Sequence, residues 1–290
     1  MITTGLRQWT VAAAAALAAA GATPVAAADA SAWSSDTRSA IRLIAGARAP
    51  DSTSRELRAG VEIKLGPSWK TYWRYPGDSG VPPRFDFAKS DNVKDVRVQW
   101  PAPQRLVDES GKSIGYKGGV IYPLVVTPAD PAKPVTLRLK LDYAVCEKIC
   151  IPAEGSAELL LARGPSEREA ALAAAEARVP VPMQLGEKMK MDEQAWFAVR
   201  SVKRDTSGGK PRVLVDVMAP VHHTVDLFAE GPTPEWALPL PEPVPGAPAG
   251  SRRFAFELDG LPAGATADGA VIKLTATAGG KAIEVATRLD

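Results

Sequence analysis

Apolar and polar side chains alternate with a period of two in several short segments of the first half of the chain. The alternation is clearest at residues 57–65, 96–100 and 137–143, where every second residue is apolar and those between are mostly charged. Such alternation is typical of antiparallel strands with one buried face. Further strands are predicted at 37–48, 68–75, 120–127 and 156–163. Short strands separated by proline- and glycine-rich turns predict a β-sandwich.

One alanine-rich segment interrupts this rhythm. Residues 165–169, Pro-Ser-Glu-Arg-Glu, have the composition of a helix start, and residues 170–177 have high helix propensity. Pro180 and Pro182 would then end the helix. Segment 165–190 is therefore predicted to be a short helical connector between two domains. A helix packed on the first domain is the alternative.

The strand rhythm resumes in the second half of the chain. Strands are predicted there at 195–203, 212–218, 223–229, 252–258, 270–277 and 281–288. Residues 231–250 contain seven prolines, so they cannot form a central strand and are predicted to be an extended surface crossing or a stiff linker. The predicted fold class is all-β, with tandem sandwiches at residues 29–164 and 191–290.

The first 28 residues have the features of a secretory signal. Arg7 provides a positive start, residues 9–20 form an apolar core, and the alanines at 26–28 form a small-residue cleavage site. Segment 1–28 is therefore predicted to be a signal peptide, and Asp29 to be the mature N-terminus. No later stretch is long and apolar enough to suggest a membrane span. The mature protein is expected in an oxidising compartment, where paired thiols form disulfides.

Charge and composition narrow the range of partners. The 290 residues carry a formal net charge of +2, and the basic residues are spread along the chain. Neither a nucleic acid nor an anionic membrane surface is therefore expected as a partner. Met183, Met189 and Met191 could bind Cu(I), but apolar packing is the preferred interpretation, and His222 and His223 are interpreted as a surface pair. No cofactor and no metal are expected.

The two cysteines of the chain, Cys146 and Cys150, are the strongest candidates for chemistry. Three residues separate them, and strands are predicted on both sides, so a hairpin can bring the two thiols within bonding reach. A disulfide here closes a loop of about five residues and contributes only about 2 kcal/mol. From spacing alone the bond is equally a structural staple or an exchangeable switch. The two histidines lie far away in sequence, so a metal site is disfavoured.

Two segments resemble one known family. Residues 143–152, Tyr-Ala-Val-Cys-Glu-Lys-Ile-Cys-Ile-Pro, are similar to the redox segment in the periplasmic N-terminal domain of the DsbD family of disulfide reductases, closest to its ScsB-type branch. Residues 69–83, Trp-Lys-Thr-Tyr-Trp-Arg-Tyr-Pro-Gly-Asp-Ser-Gly-Val-Pro-Pro, are similar to a second signature of that branch. The resemblance implies an immunoglobulin-like sandwich in the periplasm. It also implies that Cys150 attacks partner disulfides and that Cys146 resolves the mixed disulfide.

The resemblance also implies partners. Members of the family receive electrons from a thioredoxin-like domain, which a membrane-embedded domain reduces, and pass them to periplasmic disulfide isomerases or cytochrome c maturation proteins. The present chain contains neither of those two domains. Electrons are therefore expected from a separate membrane carrier and from thioredoxin-like proteins that form transient mixed disulfides.

Family members shield the disulfide with a cap loop that bears an aromatic side chain. Residues 107–113 resemble that loop, with Asp108 and Glu109 in matching places. Ser110 and Gly111 stand where the aromatic residue is expected. Shielding is therefore predicted to be weak or to come from one of two tyrosines elsewhere. Those two candidates are Tyr116 and Tyr122.

The sequence thus supports two functions of different kinds. The preferred one is a periplasmic thiol–disulfide exchange module, a component of a protein-disulfide reductase that acts in cytochrome c maturation or copper stress. The alternative is a non-redox binding or chaperone-like sandwich in which the disulfide is a staple.

Overall fold

The computed structural model describes residues 28–47, 55–77, 80–108, 111–161, 164–193 and 195–290. The predicted signal peptide at 1–28 therefore lies outside the described residues except for Ala28. Nearly all regular structure in the described part is β-strand, with one short helix, which confirms the predicted all-β class. No helix in the described ranges is long and apolar enough to cross a membrane.

Two facing sheets make up the first half of the chain. Their strands are β1 (Ser34–Ser35), β2 (Ser39–Ala45), β3 (Leu57–Leu65), β4 (Lys70–Tyr72), β5 (Arg84–Asp86), β6 (Val93–Val98), β7 (Gln104–Asp108), β8 (Gly111–Lys117), β9 (Gly119–Pro128), β10 (Val135–Cys146) and β11 (Cys150–Leu161). One sheet has the order β1-β2-β3-β9-β6 and the other β11-β10-β4-β8-β7, with β5 beside β10. All of these pairs are antiparallel.

The alternation in the sequence explains how these sheets pack. In β3, Leu57, Ala59, Val61 and Ile63 are buried in the core, and Arg58 and Glu62 point outward and are only half-buried. Large apolar side chains from both sheets form one continuous core. Burial of each such side chain contributes about 2 kcal/mol.

The single helix, α1 (Glu169–Glu176), packs on the first sandwich. Its Leu172 is fully buried, and a Cβ atom at Gly60 of β3 would lie 3.1 Å from the Leu172 side chain. Arg58 of β3 donates hydrogen bonds to Glu169 at 2.7 Å and to Glu176 at 2.6 Å. The helix thus lies between the two sandwiches in sequence but packs on the first one. This agrees with the alternative prediction, a helix packed on the first domain, and not with a connector between domains.

The second half forms another pair of sheets. Its strands are β12 (Val181–Met183), β13 (Met189–Lys190), β14 (Trp196–Asp205), β15 (Arg212–Met218), β16 (Val225–Glu230), β17 (Glu242–Val244), β18 (Ser251–Glu257), β19 (Val271–Ala278) and β20 (Lys281–Arg288). The sheet orders are β12-β20-β19-β16 and β13-β14-β15-β18-β17. The two tandem sandwiches predicted from the strand rhythm are therefore confirmed.

The proline-rich segment 231–250 differs from its prediction as a surface crossing or linker. Part of it forms β17, an edge strand paired with β18, where the missing N–H of a proline is tolerated. The residues before β17 bury Trp236, Leu238 and Leu240. The prediction was wrong because the prolines at 239 and 241 alternate with apolar side chains that face the core.

Candidate redox site

The cysteines close the long hairpin of β10 and β11. The two strands pair in continuous register from Val135↔Leu161 to Cys146↔Cys150, and the cysteines are the last pair before the turn. A disulfide joins them, with the two Cα atoms 4.2 Å apart. The turn residues between them, 147–149, are all exposed. The predicted hairpin and its disulfide are thus both present.

The two cysteines differ sharply in exposure. Cys146 is 1% exposed because it ends a buried stretch of β10 and has β4 as its other neighbour, with Lys70 directly opposite. Cys150 is exposed because it begins β11, the edge strand of the sheet. A partner protein approaching the hairpin therefore meets the sulfur of Cys150 first. The neighbouring turn residue Ile149 is 74% exposed and adds an apolar contact point.

A tyrosine from β4 contacts the disulfide directly. The hydroxyl of Tyr72 lies 2.7 Å from Sγ of Cys146 and 2.9 Å from Sγ of Cys150. Since the sulfurs of a disulfide carry no proton, the hydroxyl is the donor. Tyr72 is itself 1% exposed and forms a small buried cluster with Cys146 and Ala144. The hydroxyl is therefore held in place before any reduction takes place.

The surroundings of Tyr72 explain its fixed position. Lys70 lies two residues earlier on the same face of β4, is 2% exposed, and donates a hydrogen bond from Nζ to Oγ of Ser113 at 3.3 Å. Gly80 lies against the tyrosine ring, where a Cβ atom would come within 2.5 Å of two ring carbons, and its φ is +141°. Both the conformation and the contact require glycine at this position.

This arrangement can stabilise a thiolate. Cleavage of the disulfide leaves a negative charge on one or both sulfurs, and thiolates are stabilised by nearby hydrogen-bond donors and positive charge. The Tyr72 hydroxyl reaches both sulfurs. Lys70 brings a buried ammonium group to the same face of the sheet, opposite Cys146.

The predicted cap loop lies at the end of the β7–β8 hairpin. The backbone of Asp108 pairs with that of Gly111 across the hairpin, and Gly111 has a φ of +112°. Glu109 and Ser110 lie outside the described residues, so the cap assignment of these four positions stays a prediction.

The structure places the two predicted shielding tyrosines elsewhere. Tyr116 and Tyr122 are both buried in the core of the first sandwich, with ring centroids 5.7 Å apart. The Tyr116 hydroxyl donates to the carbonyl of Pro101 at 2.8 Å, and that of Tyr122 donates to the carbonyl of Tyr72 at 3.3 Å. Burial raises the pKa of both phenols well above the ordinary value. The tyrosine on the sulfurs is Tyr72 instead, because strand pairing puts Thr71 and Tyr116 on one face of the sheet and Tyr72 on the other.

The weaker metal candidates have ordinary surroundings. Met183, Met189 and Met191 are partly buried and pack against the apolar core. His222 and His223 stack with ring centroids 4.3 Å apart. Among the residues described, no three or more histidine, cysteine or acidic side chains come together as a metal-binding group.

The fold and the site together define a class of protein, a two-sandwich protein with a hairpin-end disulfide contacted by a buried tyrosine. Residues 42–162 match the family model described as thiol:disulfide interchange protein DsbD, N-terminal. This match confirms the resemblance of this part of the chain to a DsbD N-terminal domain that was found in the sequence.

A solved structure extends the likeness to the second sandwich. The crystal structure of the N-terminal periplasmic domain of ScsB from Proteus mirabilis matches with a TM-score of 0.68 and 20% sequence identity. The match covers 90% of this chain and 98% of that one, so both sandwiches follow the same fold. A search of curated proteins found no match.

Proposed function

We propose that the protein is a periplasmic thiol–disulfide exchange module that relays electrons through Cys146 and Cys150. The observation that carries the proposal is the geometry of the disulfide, in which an exposed Cys150 is bonded to a buried Cys146 and one tyrosine hydroxyl contacts both sulfurs. The match of residues 42–162 to the DsbD N-terminal family model supports the same chemistry.

Reduction of the module takes two exchange steps. A thiolate of a thioredoxin-like donor attacks Sγ of Cys150, the Cys146–Cys150 bond breaks, and its electron pair passes to Sγ of Cys146. A second donor thiolate then attacks the donor sulfur of the mixed disulfide and releases Cys150 as a thiolate. The donor ends as a disulfide, and the cysteine pair has gained two electrons.

Delivery of the electrons reverses the order. The Cys150 thiolate attacks a disulfide of the target protein and forms a mixed disulfide, while one target sulfur leaves as a thiolate. Cys146 then attacks Cys150, restores the internal disulfide and releases the second target sulfur. Tyr72 donates a hydrogen bond to whichever sulfur carries the charge.

The wider setting follows from the family. We place the protein in the periplasm, with a separate membrane carrier that reduces its thioredoxin-like donor, and we assign its targets to cytochrome c maturation or to copper stress. The redox sandwich would comprise residues 29–164 with α1 packed on it, and the second sandwich would comprise residues 191–290 together with β12 and β13 from segment 165–190. In this role the protein is a component of a protein-disulfide reductase.

Trapping of mixed disulfides tests the proposal. Cys146→Ala keeps the exposed thiol and removes the resolving one, so it should accumulate covalent complexes with a thioredoxin-fold partner, detected on non-reducing gels. Cys150→Ala keeps only the buried thiol and should give none. The double alanine variant is the matched control. If neither single variant forms a complex with a reducing partner present, the disulfide is a staple and the binding or chaperone-like function takes precedence.

A further inference from the structure

The second sandwich is anchored on the residues that directly follow Tyr72. β4 is only three residues long and ends at Tyr72. Beyond it, the backbone N–H of Trp73 still donates to the carbonyl of Ile114 in β8 at 3.0 Å, while the side chains of residues 73–75 reach the second half of the chain. Trp73 is fully buried, and its ring packs at 6.0 Å from the ring of Phe228 in β16. Each of the next two residues also contacts the second sandwich.

Arg74 makes the most polar of these contacts. Its Nε and Nη2 atoms donate to the two carboxylate oxygens of Glu230 at 2.9 and 2.6 Å, and Nη2 also donates to Glu284 of β20. The guanidinium group stacks on the Trp73 ring, 4.4 Å from its centroid. Burial alone would lower the pKa of Arg74, but the hydrogen bonds that it donates to Glu230 and the charges of both carboxylates raise it overall. The arginine therefore stays charged and paired with both strands.

Tyr75 inserts its hydroxyl into the backbone of the proline-rich segment. The hydroxyl donates to the carbonyl of Trp236 and accepts from the backbone N–H of Leu238, and the tyrosine is buried. Three consecutive residues after Tyr72 are thus held by three different elements of the second sandwich.

We propose that the second sandwich positions Tyr72 on the disulfide, with Arg74 as the principal positioning residue. The inference rests on the proposed exchange function of the cysteine pair. A three-residue strand has few ladder hydrogen bonds of its own. Within the first sandwich its far end has the bond from the Trp73 N–H to the Ile114 carbonyl and the bond from the Tyr122 hydroxyl to the Tyr72 carbonyl, and the contacts with the second sandwich are a further anchor. Residues 73–75 supply that anchor, because they fix the backbone that carries the Tyr72 side chain. A hydrogen bond weakens steeply when its distance or angle changes. Loosening of residue 74 would therefore weaken the hydrogen bond between the Tyr72 hydroxyl and the cysteine sulfurs.

The effect on exchange can be stated as a change in rate. A hydrogen bond to a charged group favours the charged state enough to change a rate by about tenfold. Tyr72→Phe should therefore slow reduction of the disulfide by dithiothreitol by about tenfold. Arg74→Met should slow it several-fold, since the tyrosine is kept but is displaced for part of the time. Arg74→Lys keeps the charge and loses the bidentate contact with Glu230, so its rate of disulfide reduction should lie between those of wild type and Arg74→Met.

The decisive experiment is a double-mutant cycle on the full chain. If Arg74 acts through the tyrosine hydroxyl, Arg74→Met should cause no further slowing in a Tyr72→Phe background. The matched control is Arg105→Met. Arg105 lies on β7 and pairs with Asp226 of the second sandwich at 2.8 Å, so it belongs to the same interface but not to the Tyr72 strand. The disulfide of Arg105→Met should be reduced at a rate within about twofold of wild type, and thermal melts would report any loss of stability.

Several outcomes would overturn the inference. Additive slowing in the double variant, or equal slowing by Arg105→Met, would mean that the interface acts through general stability. If Arg74→Met does not fold, Tyr75→Phe takes its place, since it keeps the ring and removes only the hydroxyl bonds to the second sandwich. An unchanged rate in that variant would also contradict the inference. A wild-type protein that resists reduction altogether would instead refute the exchange function itself.

Discussion

Reduction of the Cys146–Cys150 bond should leave the first sandwich folded and cost only a small part of its stability. The bond closes a loop of about five residues, for which the chain-entropy relation gives about 2 kcal/mol at 25 °C. The hairpin keeps its ladder without the bond, because β10 and β11 pair along their whole length and β4 holds the Cys146 end from the other side. A domain typically has about 5–15 kcal/mol in total, so the reduced form should remain well folded.

Urea unfolding of the oxidised and reduced proteins measures this difference. Both forms should show one transition for the first sandwich, and their free energies of unfolding should differ by no more than about 2 kcal/mol. The Cys146→Ala, Cys150→Ala double variant should unfold like the reduced protein. A reduced protein that is unfolded at 25 °C, or a loss of more than about 4 kcal/mol, would refute the reasoning and make the bond a structural staple.

Two further predictions concern single side chains. Gly80→Ala should destabilise the protein by about 1–3 kcal/mol and slow reduction of the disulfide, because φ is +141° and the new Cβ would displace the Tyr72 ring. The control is Gly118→Ala, where a Cβ meets nothing within 4 Å, and it should leave the rate of reduction unchanged. Equal slowing in both variants would contradict the role of the ring contact. Asp216 has a pKa below its ordinary value, chiefly because Arg253 donates hydrogen bonds to it at 2.7 and 2.8 Å. Its folded-state pKa is thus below the unfolded one, so its contribution to stability is present at neutral pH and is lost as the pH falls below about 4. Thermal melts from neutral to acidic pH should show a shallower acid decline in Asp216→Asn than in wild type, and parallel declines would argue against this ion pair.

The core strands were readable from the sequence because their pattern is local. β3 and most of β10 alternate between apolar and polar residues, and β15 and β18 do so over part of their length. The strands predicted at 57–65, 137–143, 212–218 and 252–258 are present at those positions. Some strands that the sequence does not predict, such as β5, β7 and β17, are short or lie at sheet edges. The exception is β8, an interior strand of seven residues whose first part was interpreted as the family's cap loop. A three-residue strand is too short to show a period of two. An edge strand forms because the neighbouring strand pairs with it, which the local sequence does not reveal.

The candidate site was predicted in part for the same reason. The cysteine hairpin is a local feature, and its pairing could be predicted from spacing and compartment. The sequence does not single out Tyr72, because its contact with the sulfurs depends on the pairing of β4 with β10, more than 70 residues apart in sequence. The tyrosines proposed in its place both face the core: Tyr116 points to the opposite side of the sheet from Tyr72, and Tyr122 lies on β9 of the other sheet.

The reduction potential of the Cys146–Cys150 bond tests the central claim most directly. The purified full chain would be equilibrated with glutathione buffers of known ratio, and the reduced fraction would be measured by alkylation of free thiols and mass spectrometry. An exchange module with a small loop and an exposed sulfur should have a potential above about −300 mV, within reach of thioredoxin-like proteins. A potential well below about −300 mV, as in structural disulfides, would contradict the account.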